Sequence, residues 1–166
     1  MNYFLGLGSN LGDRKRNLRR AIALLEGSGA NILARSSLYQ TQPVGYNDQP
    51  WFINQVIEVE SDLAPWELLG MLQSIEKKMG RTKTRPNGPR LIDLDILLAE
   101  ETILDTEALT IPHPRLAQRN FVLLPLNEIS TDIIHPVLRR PVAALLRTSG
   151  DRPVVVKLKK SPKKSF

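Results

Sequence analysis

The run Ile92-Asp93-Leu94-Asp95-Ile96-Leu97-Leu98 constrains this 166-residue chain more than any other stretch. Apolar residues alternating with carboxylates fit a β-strand, in which residues two apart share a face. The spacing predicts a strand over 92–99 whose Ile92, Leu94, Ile96 and Leu98 enter a core while Asp93 and Asp95 stand together on the opposite face. Two like charges so close repel and are costly to desolvate, which a divalent cation between them would relieve. Magnesium suits such a pair, since it takes hard oxygen ligands completed by water and substrate phosphates. The plain alternative is a solvated sheet face carrying two ordinary aspartates.

The surroundings favour the metal. Arg81, Lys83, Arg85 and Arg90 lie just upstream of the two carboxylates. Arginine forks match phosphate oxygens, and fixed positive charge stabilises a phosphoryl group in transfer. Carboxylates for a metal and cations for phosphates together suit phosphoryl transfer, although a basic loop could also salt-bridge the aspartates with no ligand present. No Gly-x-x-x-x-Gly-Lys-Ser/Thr run occurs, so a P-loop is excluded. Gly6-Leu7-Gly8-Ser9-Asn10 lacks the third glycine of a dinucleotide fingerprint, and its expected use is a tight strand-to-loop turn.

Alternation and helical spacing along the rest of the chain predict a strand from Tyr3 to Gly8 and a helix beginning at the cap residue Asp13 and stopped by Gly27 and Gly29. Strands are expected at 32–39 and 52–60, then a helix from Pro65 to Gly80, with a mobile surface loop over 81–89. A short hairpin near 103–109 and helical pieces near 116–128 and 142–147 complete the pattern. The order predicts an α+β fold: a ferredoxin-like βαββαβ core, an antiparallel sheet with helices packed on it, plus C-terminal helical pieces.

With 42% hydrophobic residues the chain can build one sizeable core, and one domain over 1–150 is expected. Cysteine is absent, so disulfides, thiolate metal sites and cysteine nucleophiles are excluded. The first eight residues read as an apolar strand and not as a signal peptide, and no apolar run is long enough for a membrane span, so a cytoplasmic protein is expected. Of the net charge of +6, five units fall in 151–166, where Arg152, Lys157, Lys159, Lys160, Lys163 and Lys164 face Asp151 alone. That stretch reads as a basic, disordered tail.

Four ordered segments resemble the 6-hydroxymethyl-7,8-dihydropterin pyrophosphokinases (HPPK family): Gly8-Ser9-Asn10-Leu11; Ser36 to Thr41 running on to Asp48-Gln49-Pro50-Trp51-Phe52-Ile53-Asn54; Gly88-Pro89-Arg90 through Asp93-Leu94-Asp95; and Ile111-Pro112-His113-Pro114-Arg115. The resemblance covers about residues 2 to 147. It implies transfer of diphosphate from ATP to the pterin alcohol, giving AMP and the pterin diphosphate in folate biosynthesis, with two Mg2+ ions. By position, it implies that Asp93 and Asp95 hold the metals and that Arg81 and Arg90 assist the transfer. Gln73, Glu76, Arg81, Lys83, Arg90, His113 and Arg119 match nucleotide contacts, and Ile96, Leu109 and Thr110 fall where the family lines the adenine pocket. Thr41, Val44 and Asn54 match the residues that read the pterin edge, while Phe52 and Phe121 match the aromatics that sandwich it.

Three positions depart from the family pattern. Asn87 stands where many members carry a tryptophan over the pterin, Pro114 replaces an aromatic and Ala108 an occasional arginine. None is a metal ligand. The partners implied are ATP and the pterin, with no nucleic acid or membrane, and a monomer is expected. A ferredoxin-like RNA-binding module is the competing reading, but carboxylates on a central strand would repel a phosphate backbone.

Overall fold

The computed structural model describes residues 1–82 and 86–160. The elements are β1 (Asn2–Ser9), α1 (Arg14–Gly27), β2 (Asn31–Arg35), β3 (Tyr39–Thr41), β4 (Phe52–Glu60), α2 (Pro65–Lys78) and β5 (Asp93–Ala99). There follow β6 (Leu104–Asp105), β7 (Thr110–Ile111), a single 3-10 turn at Leu116–Gln118, α3 (Asn120–Ile129), α4 (Val142–Arg147) and β8 (Val155–Lys157). The main sheet runs β5-β1-β4-β3-β8, with β2 also on β4, and every pairing is antiparallel. Placing β5, β1, β4 and β2 side by side gives the expected ferredoxin-like core.

Helix ends follow the sequence signals. Asp13 caps α1 by accepting from the Arg16 N–H at 3.1 Å, and Gly29, at φ +96°, carries the chain out of it. Leu18, Ala21, Ile22 and Leu25 of α1, with Leu68, Leu72 and Ile75 of α2, bury one stripe each against Tyr3, Leu5, Leu7, Ile53 and Ile57 of the sheet. Each such leucine or isoleucine contributes roughly 1.5–3 kcal/mol by leaving water. On the other face, α3 and α4 close a second cluster over Phe4, Val56, Leu97 and Leu98. Helices therefore cover both faces, and the second is left open at the end bearing Gly6, Gly8 and Asn54.

Three expectations need correcting. The strand expected over 32–39 is two strands on β4, broken at Ser36, whose Oγ takes the Val56 N–H at 3.0 Å and whose carbonyl takes Gln55 Nε2 at 2.8 Å. Leu98 does not share a face with Leu94 and Ile96. Phe4 pairs with Leu98 but Leu5 with Ile96, so Leu97 is an extra residue, a β-bulge that turns Leu98 to the α3 side. Within the expected disordered tail, residues 155–157 form β8 on the edge of β3, because Val154, Val155 and Val156 suit a strand and β3 offers unpaired backbone. Among the described residues no helix is long and apolar enough to cross a membrane.

Candidate active site

The open end of the sheet is a cleft that leads out into open solvent. Its floor is glycine. Gly8 of β1 lies between Asn54 of β4 and Asp93 of β5, and Gly6 lies between Val56 and Asp95. A Cβ on Gly8 would sit 2.7 Å from Asn54 Oδ1, closer than atoms tolerate. Gly6 lies inside β1 as the expected strand has it, and Gly8, expected at the strand-to-loop turn, lies inside it too; together they keep a trough open along the strand.

On one side of the trough stand the acids. Asp93 accepts from Arg90 at 2.8 Å and from Arg81 at 3.0 Å, and Arg81 also pairs with the buried Glu76 of α2. Asp95 has no hydrogen bond or ion pair among the described residues. Burial first, then the charge of Asp93, pushes its carboxyl up to about 7 against the opposing pull of Arg119, Arg90 and Arg81. Among the described residues no group of three or more histidine, cysteine or carboxylate side chains could hold a metal. Two adjacent carboxylates, one lacking a counter-ion, fit an ion that fills its shell with water and phosphate oxygens, and not a self-contained structural metal site. His113 and Arg119 flank the acids. The His113 Nδ1 accepts from the Arg115 N–H at 3.1 Å, which places the proton of the neutral ring on Nε2. Burial and then Arg119 push this imidazole down to about 4, so near neutral pH it is an uncharged donor.

The opposite side carries aromatic, amide and hydroxyl side chains, a set whose chemistry suits a flat polar ring. Thr41, Val44, Phe52, Asn54 and Phe121 all line the cleft. Asn54 Nδ2 donates to Thr41 Oγ1 at 2.9 Å, which fixes the amide's direction. Arg90 lies over the Phe52 ring at 5.7 Å and Arg119 over Phe121 at 5.4 Å, so each aromatic is held by a cation that also serves the acids.

The fold thus brings Thr41, Val44, Phe52, Asn54, Arg90, Asp93, Asp95, His113, Arg119 and Phe121 into one cleft, with Arg81 joined to it through Asp93 and Glu76 through Arg81. Others lie apart. Gln73 is exposed on α2, while Ile96 and Leu109 are buried in the cluster under α1 and α2. Thr110 bonds to the Thr106 carbonyl at 3.2 Å in the small hairpin. Lys83 lies outside the described residues, as do Thr84 and Arg85 of the expected mobile loop.

Sequence reasoning missed Gly6, Gly8 and the buried Asn10. Asn10 Nδ2 donates to Gln49 Oε1 at 2.9 Å and to the Pro50 carbonyl at 3.0 Å, while its Oδ1 accepts from the Arg90 N–H at 2.7 Å. Gln49 Nε2 in turn donates to the Asn87 carbonyl at 2.7 Å. One amide therefore fastens three loops around the cleft. The advance signal was the segment Gly8-Ser9-Asn10-Leu11, which carries part of the family resemblance without implying a role for Asn10. Asn10→Ala is expected to destabilise the chain by roughly 2–4 kcal/mol in denaturant unfolding, because three hydrogen bonds of a buried amide to part-buried partners are lost together. An unchanged unfolding midpoint would show that these loops hold without it.

Comparison with known proteins accords with this geometry. The sequence pattern described as 7,8-dihydro-6-hydroxymethylpterin-pyrophosphokinase (HPPK) matches residues 4–131. A Bacillus subtilis protein named 2-amino-4-hydroxy-6-hydroxymethyldihydropteridine pyrophosphokinase is 47% identical over 131 residues, 78% of each chain. The Folic acid synthesis protein fol1 of Schizosaccharomyces pombe is 44% identical over 86% of this chain, which spans only 20% of that longer protein. The Pneumocystis carinii protein of the same name is likewise matched over 20% of its length. A crystal structure of Plasmodium falciparum HPPK-DHPS shares the fold at a TM-score of 0.71 and 18% identity, over 88% of this chain and 45% of that one. By its sequence match and its fold, the chain belongs to the 7,8-dihydro-6-hydroxymethylpterin-pyrophosphokinase family.

Proposed function

We propose that this chain transfers the terminal diphosphate of ATP to 6-hydroxymethyl-7,8-dihydropterin, giving AMP and the pterin diphosphate ester. One observation carries the reading: paired acids and phosphate-seeking arginines share a cleft with an amide, a hydroxyl and two aromatics suited to a flat heterocycle. Asp93 and Asp95 would hold two magnesium ions, which supply charge neutralisation on the phosphate oxygens. Arg81 and Arg90 exchange their contacts with Asp93 for phosphate oxygens, and the Nε2–H of His113 and the guanidinium of Arg119 donate to the same chain of phosphates. Glu76 and Gln73 line the nucleotide side, with Lys83, Ile96, Leu109 and Thr110 the remaining family positions on that side.

Thr41, Val44 and Asn54 read the pterin edge, and Phe52 and Phe121 stack on it, so that its hydroxymethyl oxygen faces the β-phosphorus. That oxygen forms the new bond to phosphorus as the bond to the AMP oxygen breaks, and the hydroxyl proton leaves to solvent. Holding both substrates in line supplies most of the rate. The protein works as a cytoplasmic monomer with ATP and the pterin as its partners and no nucleic acid. An RNA-binding module would need its aromatics on an open basic sheet face, whereas Phe52 and Phe121 share a cleft with two carboxylates.

The test is AMP release from ATP with and without the pterin and with and without magnesium. AMP equimolar with pterin diphosphate, and none when either pterin or magnesium is omitted, is expected. AMP release independent of the pterin would overturn the assignment.

A further inference from the structure

The two walls of the pterin side come from β3, which ends at Thr41, and from α3, which begins beside Phe121. Both are fastened to residues 151–158, beyond residue 131 where the family match ends. α3 starts without a capping side chain of its own and with no acid in its first turn. Asp151 fills that role from far along the chain. Its Oδ2 accepts from the Asn120 N–H at 2.8 Å, and its carbonyl from Asn120 Nδ2 at 3.4 Å. A carboxylate there satisfies an orphan donor and faces the positive end of the helix.

Three residues later the same segment reaches the other wall. The Val154 N–H donates to Gln42 Oε1 at 3.1 Å, and the Gln42 N–H donates to the Val154 carbonyl at 2.9 Å. Gln42 follows Thr41 and lines the cleft. β8 then pairs Val155 with Thr41 and Lys157 with Tyr39, and the Leu158 N–H reaches the Leu38 carbonyl at 2.8 Å. At the far end α3 returns to β3, since Glu128 accepts from the Ser37 N–H, Ser37 Oγ and Tyr39 Oη at 2.9, 2.7 and 2.6 Å, with Lys157 at 3.8 Å. No residue from 151 to 158 lines the cleft itself.

We propose that residues 151–158 are a positioning strap for the pterin half of the cleft, setting the separation between the Phe121 wall and the Thr41 wall. This rests on the pterin reading of that half. The strap acts only through other residues, so its loss loosens pterin binding more than nucleotide binding, whose groups sit mainly on β5 and α2, with Arg119 alone beside the capped Asn120.

The experiment uses the full chain carrying Asp151→Ala, Asp151→Asn, Val154→Pro, or Asp151→Ala with Val154→Pro. Pterin affinity is measured by calorimetry in the presence of magnesium and a non-hydrolysable ATP analogue, and analogue affinity is measured separately. Asp151→Ala and Val154→Pro should each weaken pterin binding by about tenfold, the scale of one lost cap or hydrogen bond, with analogue affinity within about twofold of wild type. Asp151→Asn, whose amide oxygen still accepts from Asn120, should restore the wild-type value. Amide exchange over 39–44 and 119–123, read without ligand, should quicken in the Ala and Pro variants and not in the Asn variant. Unchanged exchange in both segments of the double variant overturns the strap, as does an equal loss of pterin and analogue affinity. Failure of the wild-type chain to bind the pterin would instead overturn the substrate reading, and the exchange measurement would still decide whether the strap holds the walls.

Discussion

Asp95→Asn is expected to lower turnover by roughly 1,000-fold or more, about 4 kcal/mol of barrier, while making the ligand-free chain more stable at pH 8. The two effects have one cause. Burial and the neighbouring Asp93 hold the Asp95 carboxyl up at about 7, so its ionised form opposes folding until a cation arrives. The folded-state value is raised above the unfolded one, so the folded chain binds more protons and loses stability as pH rises from about 4 to about 7, with no further loss above. Removing the charge recovers on the order of 1–3 kcal/mol at pH 8, after allowance for its partial exposure, and nothing below pH 4. Asp93→Asn should also abolish turnover but should not stabilise, because it removes the negative charge paired with both Arg81 and Arg90 and one of the two oxygens that accept from them. Thermal melts of the two variants at pH 4 and pH 8 check the contrast. A stabilised Asp93→Asn, or an Asp95→Asn that melts below wild type at pH 8, would refute this account of the pair.

Gly8→Ala is expected to weaken pterin binding by about tenfold to a hundredfold without unfolding the sheet. The new methyl would lie 2.7 Å from Asn54 Oδ1, and the amide can retreat only by breaking its 2.9 Å bond to Thr41. Loss of that bond and misdirection of the amide together cost roughly 1–3 kcal/mol. Gly6→Ala provides the control, since its methyl would meet Leu97 at 3.5 Å, ordinary contact, next to Asp95 and not Asn54. Calorimetric titration of the pterin into both variants separates them, and equal affinities would show that the glycine floor has no part in shaping the pterin side.

Much of this was legible in the residues, and the exceptions share a physical origin. Period-2 and period-3.6 patterns located α1, α2, β4 and β5, because each buries one continuous stripe and stripes leave a period in the sequence. The pairing of Asp93 and Asp95 on one face followed from the same rule. Asn10 did not show, because its role lies in hydrogen bonds to Gln49, Pro50 and Arg90, none of them predictable from local spacing. Ile96 and Leu109 were placed on the nucleotide side by family position, yet their side chains lie in the core. β8 was hidden by the lysines around it, since net charge describes side chains while its pairing with β3 is made by the backbone.

The extra residue at Leu97 gives β5 a fixed parity. Before it, even-numbered positions face α1 and α2 and odd-numbered ones face the cleft; after it the assignment inverts, so that Leu98 joins Phe4 and Ala99 joins Tyr3. One short strand therefore serves a polar site at its start and two separate cores at its end. A single-residue gain or loss between Asp95 and Ala99 cannot be absorbed, because it would exchange the two cores or turn both carboxylates into one of them, so this interval must keep its count through any divergence of the sequence around it.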